Sequence, residues 1–149
     1  MMIKRNPQFE LRVMLYSILT GHISYNDSVV PVFEATPKGY PFPYVVVGDC
    51  QWTNESTKDF YEEEYTINID VFTAYGGTMD NCAILDVVYQ LIGAAFNDNA
   101  LEFADPTSFC VTMFWFGNSW TKNLAVERRE REELEQSQVE LVFRIKQIG

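Results

Sequence analysis

Basic side chains are scarce in this chain. Eleven Lys and Arg stand against twenty-one Asp and Glu, for a formal net charge of −10. Affinity for phosphates comes from clustered Lys and Arg, so this balance argues against a nucleic-acid-binding module. DNA is still acceptable as a passing neighbour, because an acidic wall repels a polyanion and a conduit must not hold what moves through it. Histidine is scarcer still. His22 stands alone just past Gly21, where a turn residue is a simpler reading than a catalyst or metal ligand. The three cysteines, Cys50, Cys82 and Cys110, are odd in number, far apart and without a CxxC pair. That pattern offers neither a zinc ribbon nor a thioredoxin-like redox site, and a reduced, intracellular folding environment is expected.

Long apolar runs are missing as well. The opening MMIKRNP and the amphipathic segment behind it show no signal-peptide core. The late stretch Pro106 to Lys122 is studded with Thr, Ser, Asn and Gly, and is shorter than the ~20 apolar residues of a membrane-spanning helix. A soluble protein with no membrane partner is expected. GxSxG, HExxH, P-loop and GxGxxG motifs are all absent, and Gly76-Gly77 lacks the GK[ST] that would make it a phosphate cradle.

What the chain has is apolar material: 47% hydrophobic and 15% aromatic residues in 149. That suffices for one domain, residues 1–149, with a core that needs no metal or disulfide, and it argues against disorder over most of the length.

The spacing of Leu11, Leu15, Ile18 and Leu19 predicts a helix beginning near Pro7 and stopping at Gly21. Val29 to Phe33 is a short apolar run broken by Pro31, which predicts an edge strand. After the Pro- and Gly-rich connector Thr36 to Pro43, Tyr44-Val45-Val46-Val47-Gly48 reads as a strand covered on both faces. Thr53 to Asp59 is polar and reads as a hairpin loop. Tyr65, Ile67, Ile69 and Val71 then alternate with Thr66, Asn68 and Asp70, the clearest strand pattern present. Ala74-Tyr75-Gly76-Gly77 should end it. Thr78 or Asp80 can cap a second helix with Ile84, Val87, Val88, Leu91 and Ala95 on one stripe, closed by Asn97 to Asn99.

Ser108 to Trp120 reads as a long strand, with Val111, Met113 and Trp115 on one face and Cys110, Phe114 and Phe116 largely on the other. A strand apolar on both sides calls for cover beyond one layer of helices, such as a subunit contact. Glu127 to Glu135, ERREREELE, fits a solvated helix or an extended hairpin arm. Val139, Leu141, Phe143 and Ile145 make the last strand. The expected fold class is α+β: two helices on a mostly antiparallel sheet of four to five strands.

Few residues offer chemistry. Glu62, Glu63, Glu64 and Asp70 could hold Mg²⁺, but only Lys58 is near in sequence and a solvated strand face is the simpler reading. Trp52, Phe114, Trp115, Phe116 and Trp120 could stack bases, yet without a basic groove they are better assigned to core or subunit packing. In ERREREELE, Arg128, Arg129 and Arg131 are outweighed by five glutamates, so the run is no DNA contact; ion pairs of ~0.3–0.5 kcal/mol each would hold it as an exposed arm or helix.

Several pieces, in order, resemble a phage family: the tail terminator or tail completion proteins that join tail to head. They are Leu15 to Thr20, Pro43 to Asp49 within Pro41-Phe42-Pro43-Tyr44-Val45-Val46-Val47-Gly48, Ser56-Thr57-Lys58, Ile69 to Gly77, and the helix Ile84 to Phe96. The charged stretch Asn123 to Gln138 is longer than that family's last hairpin, and Phe109 to Phe116 is more aromatic. The resemblance spans about residues 7 to 146. It implies a homo-oligomeric ring, a hexamer, that caps the tail tube and presents a surface to the head connector, with DNA passing through its lumen unbound. It further implies no catalytic residue and no cofactor, and a place in the virion tail after assembly in the host cytoplasm. The candidate interface comprises Thr53, Asn54, Glu55, Ser56, Thr57 and Lys58 in the polar loop, Phe114 and Phe116 on the aromatic strand, and Arg128, Arg129 and Arg131 in the charged run. Two readings from other classes stand beside it. One is a small Mg²⁺-dependent phosphoryl hydrolase using Glu62, Glu64 and Asp70; the other is an oligomeric module with a small ligand between helix and sheet.

Overall fold

The computed structural model describes residues 3–57, 60–74, 78–97, 103, 105–127 and 131–149. Helix α1 (Gln8–Leu19) opens where Asn6 Oδ1 accepts the Gln8 N–H at 2.8 Å. It ends on Gly21, whose φ of +78° suits a residue without Cβ. Leu11, Met14, Leu15 and Leu19 are its buried stripe, while Ile18 is half-buried. Strands β1 (Ser24–Tyr25) and β2 (Ser28–Val29) form a hairpin whose two turn residues, Asn26 and Asp27, both have positive φ. Such a pair fits the tight turn that follows strand twist. This hairpin was not expected, although the Asn-Asp pair between short polar and apolar segments was its signal.

Pro31 does break the expected Val29–Phe33 strand. Only β3 (Val32–Phe33) joins the main sheet, as a parallel edge strand beside β4 (Tyr44–Asn54). The other pairings, β4 with β5 (Glu62–Ala74), β5 with β7 (Arg131–Gln147) and β7 with β6 (Phe109–Glu127), are antiparallel. The order is β3-β4-β5-β7-β6. Helix α2 (Thr78–Asn97) crosses between β5 and β6. The α+β class stands: one mostly antiparallel sheet, with both helices on one face. The expected Tyr75–Gly77 turn and the Asp98–Asn99 end of the helix lie outside the described residues.

The core lies between helices and sheet. Tyr65, Ile67, Ile69 and Val71 of β5 meet Val139, Leu141, Phe143 and Ile145 of β7 beneath Ile84, Val88, Ile92 and Ala95 of α2. Ile92 replaces the expected Val87 and Leu91, which are half-buried, so the stripe is rotated slightly around the helix. By length and composition α2 could cross a membrane over Met79–Phe96, yet this buried stripe packs it onto the sheet. On the opposite face Tyr44, Val46, Phe72 and Leu134 form a smaller cluster, covered by Phe33 and Phe42. Both faces of Tyr44–Val47 are therefore buried, as the unbroken apolar run predicts.

One expectation for β6 changes. Bulges interrupt its pairing with β7 between Val111 and Met113 and between Phe116 and Ser119. A one-residue insertion exchanges the faces. Val111 thus packs on the core with Phe114 and Phe116, instead of with Met113 and Trp115. Of the two readings of the charged run, the described residues Glu127 and Arg131 to Glu135 follow the extended arm, since β6 and β7 stay paired out to Glu127 and Arg131.

Candidate assembly surfaces

β5 runs thirteen residues from Glu62 to Ala74 and sets the long axis of the domain. At ~3.3 Å per residue that is about 40 Å. The β4–β5 connection leaves the sheet at its Glu62 end, where Glu62 pairs with Lys146. The β6–β7 arm leaves at the other end, beyond the pairing of Ala74 with Leu134. The two segments singled out from the sequence therefore sit at opposite ends of the sheet.

Thr53 and Asn54 belong to β4 itself, opposite Glu64 and Glu63, so the loop is shorter than its composition suggests. What remains is held by its own polar groups. Ser56 Oγ donates to Glu62 O at 3.2 Å and accepts the Glu62 N–H at 3.1 Å. Asn54 Oδ1 accepts the Ser56 N–H at 2.9 Å, and the Glu55 N–H reaches Glu62 O at 2.8 Å. Thr57 closes the described part, with its N–H on Phe60 O. Lys58 lies outside the described residues.

At the arm end, Asn81 of α2 is fully buried and ties three elements together. Its Nδ2 donates to Val71 O at 3.1 Å, Thr73 Oγ1 at 3.2 Å and Glu135 O at 3.0 Å. Its Oδ1 accepts from the Ser137 hydroxyl, whose oxygen in turn accepts from the Thr121 hydroxyl at 2.6 Å. The root of the arm is thereby fastened to the body. Arg128 and Arg129 lie outside the described residues, and Arg131 opens β7 opposite Glu127.

Phe114 and Phe116 occupy neither end. They pair with Phe143 and Leu141 midway along the sheet and are half-buried under α2. The Phe96 ring lies 5.3 Å from Phe114 and the Tyr89 ring 4.8 Å from Phe116.

The helix-free face of the sheet is polar at its centre. Gln138 and Gln136 donate to Asp70 Oδ1 at 2.9 and 3.3 Å, and Trp120 Nε1 donates to Gln138 at 3.2 Å. Burial holds the Asp70 carboxyl above its ordinary range; both glutamine bonds lower it and Asp49 raises it. Gly48 passes beneath this group. A Cβ there would stand 2.7 Å from Asp70 Oδ2, which gives the last residue of the Tyr44–Gly48 run a steric reason to be glycine. The acidic residues considered for a metal are dispersed. Arg144 is placed between Glu62 and Glu64, at 3.7 and 3.5 Å, while Glu63 turns to the other face and pairs with Lys4 at 2.6 Å. Asp70, six residues beyond Glu64, is about 20 Å away along the strand. Among the described residues no group of three or more His, Cys, Asp or Glu is arranged to hold a metal ion.

Cys50, Cys82 and Cys110 are all free thiols, and burial pushes that of Cys50 up to about 11 in spite of Arg12 nearby. His22 is exposed in the turn after α1.

The family model described as Tail completion protein gp17 matches residues 15–145. The chain belongs to that family. Tail completion proteins are structural proteins of the phage tail, and the two-ended layout described above is that of this tail protein. A solved chain from "Virion of native gene transfer agent (GTA) particle" is also similar, at 20% identity over 95% of this chain and 91% of that one, with a TM-score of 0.49. No curated protein sequence matches.

Proposed function

We propose that this tail completion protein is the tail terminator subunit: a homo-oligomeric ring, a hexamer, that caps the finished tail tube and receives the head connector. The carrying observation is the placement of the two contact segments. The described stretch Thr53–Thr57 and the arm that runs out to Glu127 and Arg131 leave opposite ends of one sheet. Subunits ringed around an axis parallel to β5 would offer one set of segments to the tube and the other to the connector. DNA would pass the lumen unbound, in keeping with the net charge of −10. The subunit would assemble in the host cytoplasm and act by contact alone, without cofactor or catalysis. Arg144 stands in ion-pair contact with both Glu62 and Glu64, the pair that a hydrolase would need for its metal.

Light scattering after size exclusion, with and without tail-tube subunits, tests the ring. Six-subunit particles are expected on mixing, and a chain that stays monomeric in the presence of tube overturns the reading. Deleting Glu130 to Glu133 tests the arm. The shortened protein should fold normally while the yield of tailed particles falls; an unchanged yield would move the docking surface elsewhere.

A further inference from the structure

The two lateral margins of the sheet differ in a way that bears on how copies meet. One margin is β6, nineteen residues long and paired on one side only, to β7. From Phe109 to Asn123 it contains no Asp or Glu and a single Lys, Lys122, in a chain with twenty-one acids. Monomeric proteins usually guard a long edge with charge, proline or a covering element. Here only two bulges interrupt it. The other margin is β4. β3 pairs with it only at Val45 and Val46, and the Arg12 guanidinium takes the next two carbonyls, Val47 O at 3.4 Å and Gly48 O at 2.9 Å. The stretch Cys50–Asn54 beyond them pairs with β5 on one side and with no described strand on the other. This margin is acidic: Asp49, Glu34 and Glu55 are all exposed.

Apolar exposure follows the same two margins. Phe9 and Val13 of α1, the helix packed on β4, are 73% and 43% exposed, and Trp52 of β4 is 46% exposed. On the β6 side Met113 is 50% exposed, with Phe96 of α2 at 46%. One molecule thus has two different open edges, one almost uncharged and one acidic, each flanked by uncovered apolar side chains. A self-complementary patch would give a closed pair, whereas two unlike patches on one subunit give head-to-tail contacts that close as a ring.

We infer that copies of this chain join edge to edge: the outer edge of β6 in one copy pairs with the outer edge of β4, Cys50–Asn54, in the next. Main-chain hydrogen bonds supply the joint. The Val111–Phe116 part of β6 stands level with Cys50–Asn54 through the pairings across the sheet, which brings Phe96, on the helix side, toward Trp52 of the next copy. This joint deepens the ring reading and rests on it.

Two double variants at exposed positions test it. Met113→Glu with Ser119→Glu spoils the β6 edge by setting carboxylates against the acidic β4 margin; Asp49→Lys with Gln51→Lys spoils the β4 edge by setting ammonium groups against an almost uncharged strand. Each alone should stay monomeric under conditions in which the unaltered chain forms rings, with circular dichroism and melting curves showing that the fold survives. If a double variant fails to fold, S119E and Q51K replace it. Mixing the two variants should restore association, because each supplies the intact edge the other lacks. Rings formed by either variant alone overturn the edge joint and leave the ring itself standing, as does a mixture that stays monomeric. A β4 variant that still dimerises by itself would show a two-fold β6–β6 contact and also overturn it. An unaltered chain that never assembles, even with tube subunits, overturns the ring and the joint together.

Discussion

Removing the Asn81 side chain should loosen the arm at its root and lower stability by a measurable, bounded amount. The amide is fully buried and makes four contacts: three from Nδ2, to Val71 O, Thr73 Oγ1 and Glu135 O, and one at Oδ1, from Ser137. Two N–H groups serve three acceptors, so one is shared, and truncation to alanine costs about three full hydrogen bonds. A buried partner left short of a bond costs ~1–3 kcal/mol, and the groups here retain some strand or hydroxyl partners, so the low half of that range applies. The sum is about 3–5 kcal/mol, a large share of the ~5–15 kcal/mol that holds an ordinary domain. At this chain length it should lower Tm by roughly 8–15 °C. Asn81→Asp separates this account from simple loss of packing. A carboxylate there faces the Val71 and Glu135 carbonyls as a second acceptor, so at neutral pH it should be worse than alanine. Its folded pKa would be raised, so the penalty applies above the ordinary carboxylate pKa and fades as pH falls below it. Melting curves for both variants at neutral and acid pH make the measurement, with hydrogen exchange over Thr121 to Glu135 reporting on the arm root. A loss below about 1 kcal/mol for Asn81→Ala, or an aspartate no worse than alanine at neutral pH, would refute the reasoning.

Asp70 follows the same pH dependence in the unaltered chain. Its carboxyl is held above the ordinary range mainly by burial, so ionisation works against the fold from the unfolded pKa upward. Asp70→Asn keeps an oxygen for both glutamines and should be more stable than the unaltered chain at neutral pH, with the gain vanishing in acid; denaturant titrations at the two pH values read it. Gly48→Ala forces a Cβ to 2.7 Å from Asp70 Oδ2 and should cost ~1–3 kcal/mol. Most of that cost should disappear in an Asp70→Ala background, and equal costs in both backgrounds would show that the clash is not the cause.

Periodicity alone determined both helices, the β5 and β7 cores and the fold class, because a half-buried element repeats its apolar residues at its own pitch. Tyr65 to Val71 and Val139 to Ile145 needed no tertiary information for this reason. The turn at Gly21 and the break at Pro31 were legible because each residue restricts its own backbone. The bulges in β6 were not. Nothing in Val111-Thr112-Met113 or Phe116-Gly117-Asn118-Ser119 announces an extra residue, since a bulge is a mismatch between two strands and exists only once β7 is alongside. The same holds for Asn81, a polar residue in an amphipathic helix. It became a buried hub because β5 and β7 bring Thr73, Glu135 and Ser137 to one point. The charged run left helix and arm open, since Glu and Arg both favour helix; pairing of β6 with β7 made its described residues strand. That the loop and the arm lie at opposite ends was likewise beyond the sequence. Order along the chain does not encode strand direction within a sheet, and antiparallel pairing of β4, β5 and β7 decided it.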